Sequence, residues 1–507
     1  MKKIGKMLIM LILSLSFLLT GCGGYKGGDL EEEYYDDGEP YNIVYYMYYN
    51  SANPPQDMEA VNARVNELLK SKLPNTTVDI IPYIAAEYTT KVTAAIVAGT
   101  KFDICFTSPE INPYLTNVQR EAFLPVEWLI EEYAPVTAAS ISEEMMEQTR
   151  YEGKSYAVLN EQIYPRTYSV RFRSAATIQK YLEDHYNGIT TDEIYTVLNE
   201  DLTAFDFIEN YLVWMKENNY GNGGTIHQID TASTLQNYYG YDDLGTGMGT
   251  PGTVKISDIA YENGQYKATV VNQFETADYE EMLEFVYKLK GEGYLNPNLG
   301  ESNYDIVAEN NWKPGYLTGE AARLGSPMYF TTYIMGTMNA ISSTSENPAR
   351  VMKFIELLRT DSELHNTIQY GLEGEHYILD DSNPNRISEF LGTGYNNSQF
   401  GWGLGSEFIS YLQPGQPDDL WDQVKAINDE TEVSPLIGFL FDPTPVDQKM
   451  ADCRAVTSEF MTALQQGQYD DMQTALANFR QRLKDAGCDE VIAEKQRQLD
   501  EFFASKS

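Results

Sequence analysis

Residues suited to catalysis near neutral pH are scarce in this chain. Its 507 residues include four histidines and four cysteines. His185, His227, His365 and His376 are scattered, without a His-Glu-x-x-His pattern, and no Gly-x-Ser-x-Gly turn occurs. The signatures of a zinc-protease helix and a serine-hydrolase elbow are therefore missing. No Cys-x-x-Cys pair exists, so no zinc or dithiol redox motif follows. Gly153-Lys154-Ser155 ends like a phosphate-binding loop, but Gln148 stands where that loop needs its first glycine. Positive charge is short as well. Lys and Arg number 36 against 75 Asp and Glu, a formal net charge of −39. Such a field repels phosphate backbones and excludes nucleic acid as a partner. Beyond the first twenty residues no long apolar run occurs, and a bilayer-spanning helix needs roughly 20 such residues. Carboxylates are abundant, so counting alone does not remove a glycosidase pair.

The N-terminus is the most informative segment present. Lys2, Lys3 and Lys6 precede an apolar run from Met7 to Leu19, followed by Leu19-Thr20-Gly21-Cys22. A basic start, a short apolar core and small residues make a secretory signal. The last four residues resemble the lipobox of bacterial lipoproteins. That resemblance implies removal of residues 1–21, diacylglycerol on the Cys22 thiol and a lipid-anchored protein on the extracellular face of the cell membrane. An ordinary signal peptide with a chance cysteine is the alternative. Residues 22–40 pass from Gly23, Gly24, Gly27 and Gly28 into an acidic run ending at Asp37, a composition that reads as a flexible tether. Cys105, Cys453 and Cys488 remain; Cys105 and Cys453 read as small buried hydrophobes, with a Cys453–Cys488 bridge left open. Tyrosine is over-used: 38, against 20 Phe and 5 Trp. Its flat ring and polar tip suit a surface that holds polar ligands such as sugars, although a general surface preference accounts for it equally.

The body opens with a β-rich run, Tyr41–Tyr49. Asp57 then caps a helix with an apolar stripe at Val61, Val65, Leu68 and Leu69. A strand around 78–82, a helix from Tyr88 to Val97 and a strand over 102–106 follow. Strand, helix, strand, helix, strand predicts a parallel sheet with covering helices, whose ligands sit beyond the carboxyl ends of the strands. Residues 151–158 read as a hairpin leading into a crossover. A second body follows, with helices around 205–216 and 279–289, a Gly-rich loop at 245–252 and a hairpin around Asn263-Gly264. Met335 to Ser342 returns to strand character. Asn347-Pro348 starts a helix with an N-cap and a first-turn proline. Helices around 446–464 and 491–503 close the chain.

Three stretches resemble extracellular solute-binding proteins of ABC importers. They are Val118–Val126 leading to Tyr133-Ala134-Pro135, the crossover Tyr151–Val158, and Gly336–Ser345 with the following Asn347-Pro348. Residues 370–377, 434–443, 483–487 and 492–499 narrow the likeness to LipO-type lipoproteins with a C-terminal domain of unknown function. The resemblance implies an α/β, two-lobed periplasmic-binding-protein type II fold with a hinge and an interlobe cleft. The expected segments are 41–157 and 328–395 for lobe one, 158–327 for lobe two, and 396–507 for lobe two with a C-terminal helical region. It also implies closure of the lobes on a small polar solute, an oligosaccharide above all, and delivery to ABC permease subunits by a monomer. A structural or adhesive surface lipoprotein, or a glycan-processing enzyme, are the alternatives. No enzymatic activity, metal or cofactor is expected.

The ligand-facing candidates lie at strand ends and on loops. Tyr48, Tyr49 and Asn50 end the first strand, and either face ligand or pack beneath a helix. Thr107, Ser108 and Glu110 follow the third strand, where turn chemistry is the competing account. Trp312 and Trp402 sit in polar or Gly-flanked loops suited to stacking on a ring. Tyr329 and Tyr333 precede the return strand, and Phe441 and Asp442 precede a late helix that Asp442 would otherwise cap. Trp402 is expected to be a ligand contact rather than a core residue.

Overall fold

The computed structural model describes residue 36 and residues 38–296, 303–309, 320–392, 394–395 and 398–506. The expected signal and Cys22 lie outside the described residues.

A five-stranded sheet organises the first lobe. Its first strand, Tyr41–Tyr49 (β1), lies inside the sheet and pairs in parallel with Thr76–Ile84 (β2) on one side and Ile104–Thr107 (β3) on the other. Val158–Leu159 (β4) and the return strand Met338–Ile341 extend the sheet beyond β3, the latter antiparallel to both. The parallel half is the predicted strand–helix alternation, with Met58–Lys72 (α1) and Tyr88–Ala98 (α2) as crossovers. Val61, Val65, Leu68 and Leu69 of α1 are buried as its stripe requires. Asp57 stands at the N-cap position but makes no side-chain cap bond; its Oδ2 lies 3.3 Å from His376 Nε2 instead. Asn347 does cap its helix, accepting from Arg350 N at 2.9 Å.

A second hydrophobic core surrounds a three-stranded antiparallel sheet. Ser169–Phe172 (β5) lies between Ile306–Glu309 (β6) and Glu320–Arg323 (β7). Helices Ala204–Glu217 (α3) and Ala277–Glu292 (α4) cover it, with Phe207, Leu212, Leu283 and Val286 fully buried. Asp447–Gln465 (α5) and Met472–Asp485 (α6) pack on the same core through Phe460, Leu464, Leu476 and Phe479. The last helix, Cys488–Ser505 (α7), turns its Val491, Leu499 and Phe503 onto a third, smaller core shared with Leu244, Val254 and Phe439. Two chain passages run side by side between the lobes. Arg166 and Met328 exchange backbone hydrogen bonds of 2.9 and 3.0 Å where they meet.

Three expectations need correction. Val158, Leu159 and Tyr164 belong to the first core, so the boundary at 157 falls early. Phe400, Leu404 and Ile437 also pack there, although 396–507 was assigned to lobe two. Of the alternatives left open for Cys453 and Cys488, the structure has the unbridged one: both are free, buried thiols. The acidic tether stops short of residue 40: Asp36 is docked. Its carboxylate accepts from Arg350 Nε at 2.9 Å and from Lys353 Nζ at 2.7 Å. Both side chains of the Asp36–Arg350 pair are buried, at 7% and 2% exposure. Arg350 Nη1 also donates to Thr76 Oγ1 at 2.8 Å, tying the segment to β2.

Candidate functional site

The loop after β3 and the Gly-rich loop of the second lobe face each other across a cavity of about 440 Å³. The first lobe contributes Ser108, Pro109, Glu110 and Trp402, and the passages between the lobes add Gln162, Arg166, Thr332 and Tyr333. Across it stand Ser233 and Gln236 of the Thr231–Asn237 helix, with Asp243, Gly247 and Met248 of the Gly-rich loop. The walls come close: a Cβ at Gly247 would sit 3.5 Å from Glu110 Oε1.

Each wall is fixed by identifiable contacts. Ser108 Oγ accepts from Ile111 N at 2.9 Å, and Thr107 Oγ1 donates to Asn112 O at 2.6 Å, so the strand leaves the sheet in a tight turn. Trp402 is half-buried. It packs against Phe106 and Phe400, with ring centroids 5.6 and 5.0 Å away, while also lining the cavity. Tyr333 carries the Arg166 guanidinium 4.4 Å from its ring centre and donates to Gln236 Oε1 at 2.9 Å. Burial pushes the Tyr333 phenol up to about 12, so it is a neutral donor at physiological pH. The Gln236 amide nitrogen is buried and has no hydrogen-bond partner among the described residues. A buried donor in a polar cavity is a place for a ligand hydroxyl or water.

The carboxylates also set the character of the cavity. Glu110 is raised above its ordinary range, chiefly by desolvation and further by the Asp243 carboxylate opposite. Behind Asp243, Asp242 is fully buried and raised above the ordinary carboxylate range by desolvation, with Asp243 adding to it. Asp242 accepts from Thr331 N at 2.8 Å and Thr331 Oγ1 at 2.6 Å, and the Thr332 hydroxyl donates to Asp243 Oδ1. The Gly-rich loop is thereby tied to the second passage between the lobes. Among the described residues no group of three or more His, Cys, Asp or Glu side chains is placed to hold a metal ion.

The cavity gathers four of the residues singled out from sequence: Ser108, Glu110, Tyr333 and Trp402. Others lie elsewhere. Tyr48 and Tyr49 are buried at 7% and 3% exposure, Tyr48 within a nest of Tyr88, Phe106 and Phe400. β1 has a strand on each side and a covered face above and below, so both of its side-chain rows are core. Asn50 is exposed at the strand end and does not line the cavity. Thr107 is fully buried in its turn. Tyr329 is buried and donates to Asn428 O at 2.8 Å. Phe441 lines a separate cavity of about 230 Å³ that shares Pro109 and Glu110 with the first. Asp442 closes a turn, accepting from Thr444 N at 3.0 Å and from Gln119 Nε2 at 3.3 Å. Trp312 lies outside the described residues. Gln162, Arg166, Ser233, Gln236 and Asp243 carried no motif; the Gly-rich stretch was the one visible sign of the second wall.

Two α/β lobes joined by paired passages, with a polar cavity between them, define the class: the chain has the fold of type II solute-binding proteins. It is a homologue of a carbohydrate ABC transporter substrate-binding protein of Streptococcus pneumoniae serotype 4 (strain ATCC BAA-334 / TIGR4), 22% identical over 98% of this chain and 97% of that one. Residues 435–504 match the family described as a domain of unknown function, DUF3502. The crystal structure of the N-glycan transport solute binding protein NgtS from Streptococcus pneumoniae superposes with a TM-score of 0.71 at 19% identity, covering 92% of this chain and 100% of that one. NgtS in complex with Man1GlcNAc gives a TM-score of 0.65 at 19% identity, over 91% and 99% of the two chains.

Proposed function

We propose that this protein captures an oligosaccharide between its lobes and hands it to an ABC permease. The observation that carries this reading is the cavity itself. It places an aromatic face (Trp402), a neutral phenol (Tyr333) and an amide donor without a partner among the described residues (Gln236) around one polar space, with walls from both lobes. Sugar rings offer apolar faces to aromatics and hydroxyls to such donors and to carboxylates. The whole-length likeness to a carbohydrate substrate-binding protein, and the glycan named in the NgtS complex, point to the same class of ligand. Ser108, Glu110, Tyr333 and Trp402 are the contacts assigned to it, joined by Gln236 and Ser233. Trp312 remains a stacking candidate on sequence grounds alone.

The anchor is assigned to Cys22, which would hold the protein as a monomer on the extracellular face of the membrane beside its permease. Capture then works by differential contact. A glycan that touches both walls favours the closed arrangement over the open one, and the lobes swing about the Arg166–Met328 and Thr331–Asp242 connections. Titration calorimetry and thermal melting with Man1GlcNAc and larger mannosyl glycans test the reading. A bound glycan at a hundredfold excess over Kd stabilises the fold by about 2.7 kcal/mol. No shift with any glycan, but a shift with peptides, would overturn the assignment.

A further inference from the structure

The Gly-rich loop from Asp242 to Thr253 forms much of the second wall, yet its sequence gives it little rigidity of its own. Leu244, Gly245, Gly247 and Gly252 all have positive φ, which few side chains tolerate. Gln273 supports the middle of the loop: its Nε2 donates to Met248 O and Thr250 O, both at 2.9 Å, and its Oε1 accepts from Gly252 N at 3.1 Å. What ties the two ends together comes from the C-terminal helix α7. Lys495 is fully buried, and its ammonium donates to Asp243 O at 3.4 Å, Thr246 Oγ1 at 2.7 Å and Gly252 O at 2.5 Å. One side chain thus grips the start, middle and end of the loop. The fit is two-sided: a Cβ at Gly252 would fall 2.7 Å from Lys495 Cδ.

Burying an ammonium is costly unless its surroundings compensate. Here desolvation prevails and lowers the group to about 7, while the carbonyl and hydroxyl oxygens and the Asp243 and Asp242 carboxylates offset part of the cost and Arg454 adds to it. A methionine or leucine would fill the same space without that cost, so packing alone does not account for a lysine here. Its neighbour Gln496 supports the same body, accepting from Val270 N at 2.7 Å and donating to Ala268 O at 3.1 Å. We propose that Lys495 is a positioning residue for ligand binding, through which the C-terminal domain holds the Gly-rich loop in the shape that presents Asp243, Gly247 and Met248 to the cleft. The inference rests on the ligand-cleft reading above and gives the domain matched by residues 435–504 a task within it.

Lys495→Met keeps the stem and removes the donors. Hydrogen exchange on the whole protein then reads the loop directly. The amides of Leu244, Thr246, Thr250 and Gly252 are all hydrogen-bonded and are expected to exchange at least tenfold faster, while those of α5 and α6 keep their protection. Man1GlcNAc affinity, measured by calorimetry, should fall at least tenfold. Should Lys495→Met loosen the entire C-terminal region, Gly252→Ala decides, because it displaces the clasp from the loop side and leaves α7 intact. Loop-confined exchange together with weakened binding supports the assignment. Unchanged loop exchange, or an opened loop with undiminished affinity, overturns it. The exchange arm needs no ligand, so failure of the parent protein to bind glycan would count against the cleft reading alone.

Discussion

Trp402 serves two environments at once. One part of the indole touches Phe106 and Phe400 of the first core, and another lines the cavity. Trp402→Ala should therefore weaken glycan binding by more than about 2 kcal/mol, as loss of a central aromatic contact does. It should also lower unliganded stability by about 1–3 kcal/mol, less than the 3–5 of a fully buried tryptophan. Calorimetry and a denaturant melt separate the two; an unchanged affinity with a large stability loss would make Trp402 purely core. The expectation from sequence set contact against core and did not allow for a ring that packs on the core while lining the cavity. Flanking glycines show that a backbone can approach closely, but not which neighbours the ring meets. Tyr48 and Tyr49 were misplaced for a related reason. In a central strand both faces are buried, so the alternation that would separate cleft from core is absent. Asp36 makes a pH prediction. Arg350 beside it holds its carboxyl well below its ordinary 3.8, against a smaller opposing effect of burial. A depressed folded-state pKa stabilises above the unfolded value, and that stability is lost as pH falls through the folded one. Wild type should thus lose more stability than Asp36→Asn as pH is lowered from 5 towards 2, followed by chemical melts at each pH. Parallel curves would exclude the ion pair as their cause.

Among the elements, the acidic segment departs most from its composition. A run rich in Asp and Glu reads as solvated tether, and by that measure removing residues 29–38 should leave the body unaffected. The docked Asp36 reverses the expectation. Without it Arg350, at 2% exposure, is left as a buried charge short of its carboxylate, and breaking such a pair costs about 3–5 kcal/mol. Deletion of 29–38 should therefore lower the melting temperature of the body by several degrees, roughly 2–4 °C per kcal/mol for a domain of 150–250 residues. A deletion that melts with the parent would show Asp36 to be dispensable. The partners are 314 positions apart in sequence, and composition carries no information about such a pair. Elements with a strong local signal were legible: β1, the stripe of α1, the capped helix after Asn347, and α5 and α7. Their periodicity and caps are properties of contiguous residues. The second wall was not, because its residues are brought together by tertiary contacts such as Asp242 to Thr331 and Lys495 to Gly252. The Gly-rich stretch was visible as a loop, while its purpose depended on what packs behind it.

At the scale of the molecule, the lobes are linked by the paired passages at Arg166 and Met328 and by the stretch from Ile437 into α5, and they flank a cleft whose walls are near one another but carry opposed carboxylates, Glu110 and Asp243. A ligand that donates hydroxyls to both would offset their repulsion and draw the lobes together. Small-angle scattering should register this: a radius of gyration of roughly 23 Å, expected for a compact chain of this size, should shrink by about 1 Å with saturating glycan. An unchanged profile with a bound glycan would mean that capture needs no hinge motion. The two-lobed architecture itself was legible in sequence from the order of motifs along the chain. Its boundaries were not, since Leu159, Tyr164 and Phe400 cross to the first core from segments placed in the other lobe. The Asp36 clasp has one further consequence, for mechanics at the membrane. If Cys22 carries the lipid, the leash is 36 − 22 = 14 residues long, and whatever its conformation it cannot span more than about 50 Å. The clasp also fixes where the leash leaves the body, beside β2 and the helix after Asn347. A carrier held so near a permease samples it at a local concentration far above its bulk value. Delivery then becomes a matter of swivel and reach rather than of diffusion.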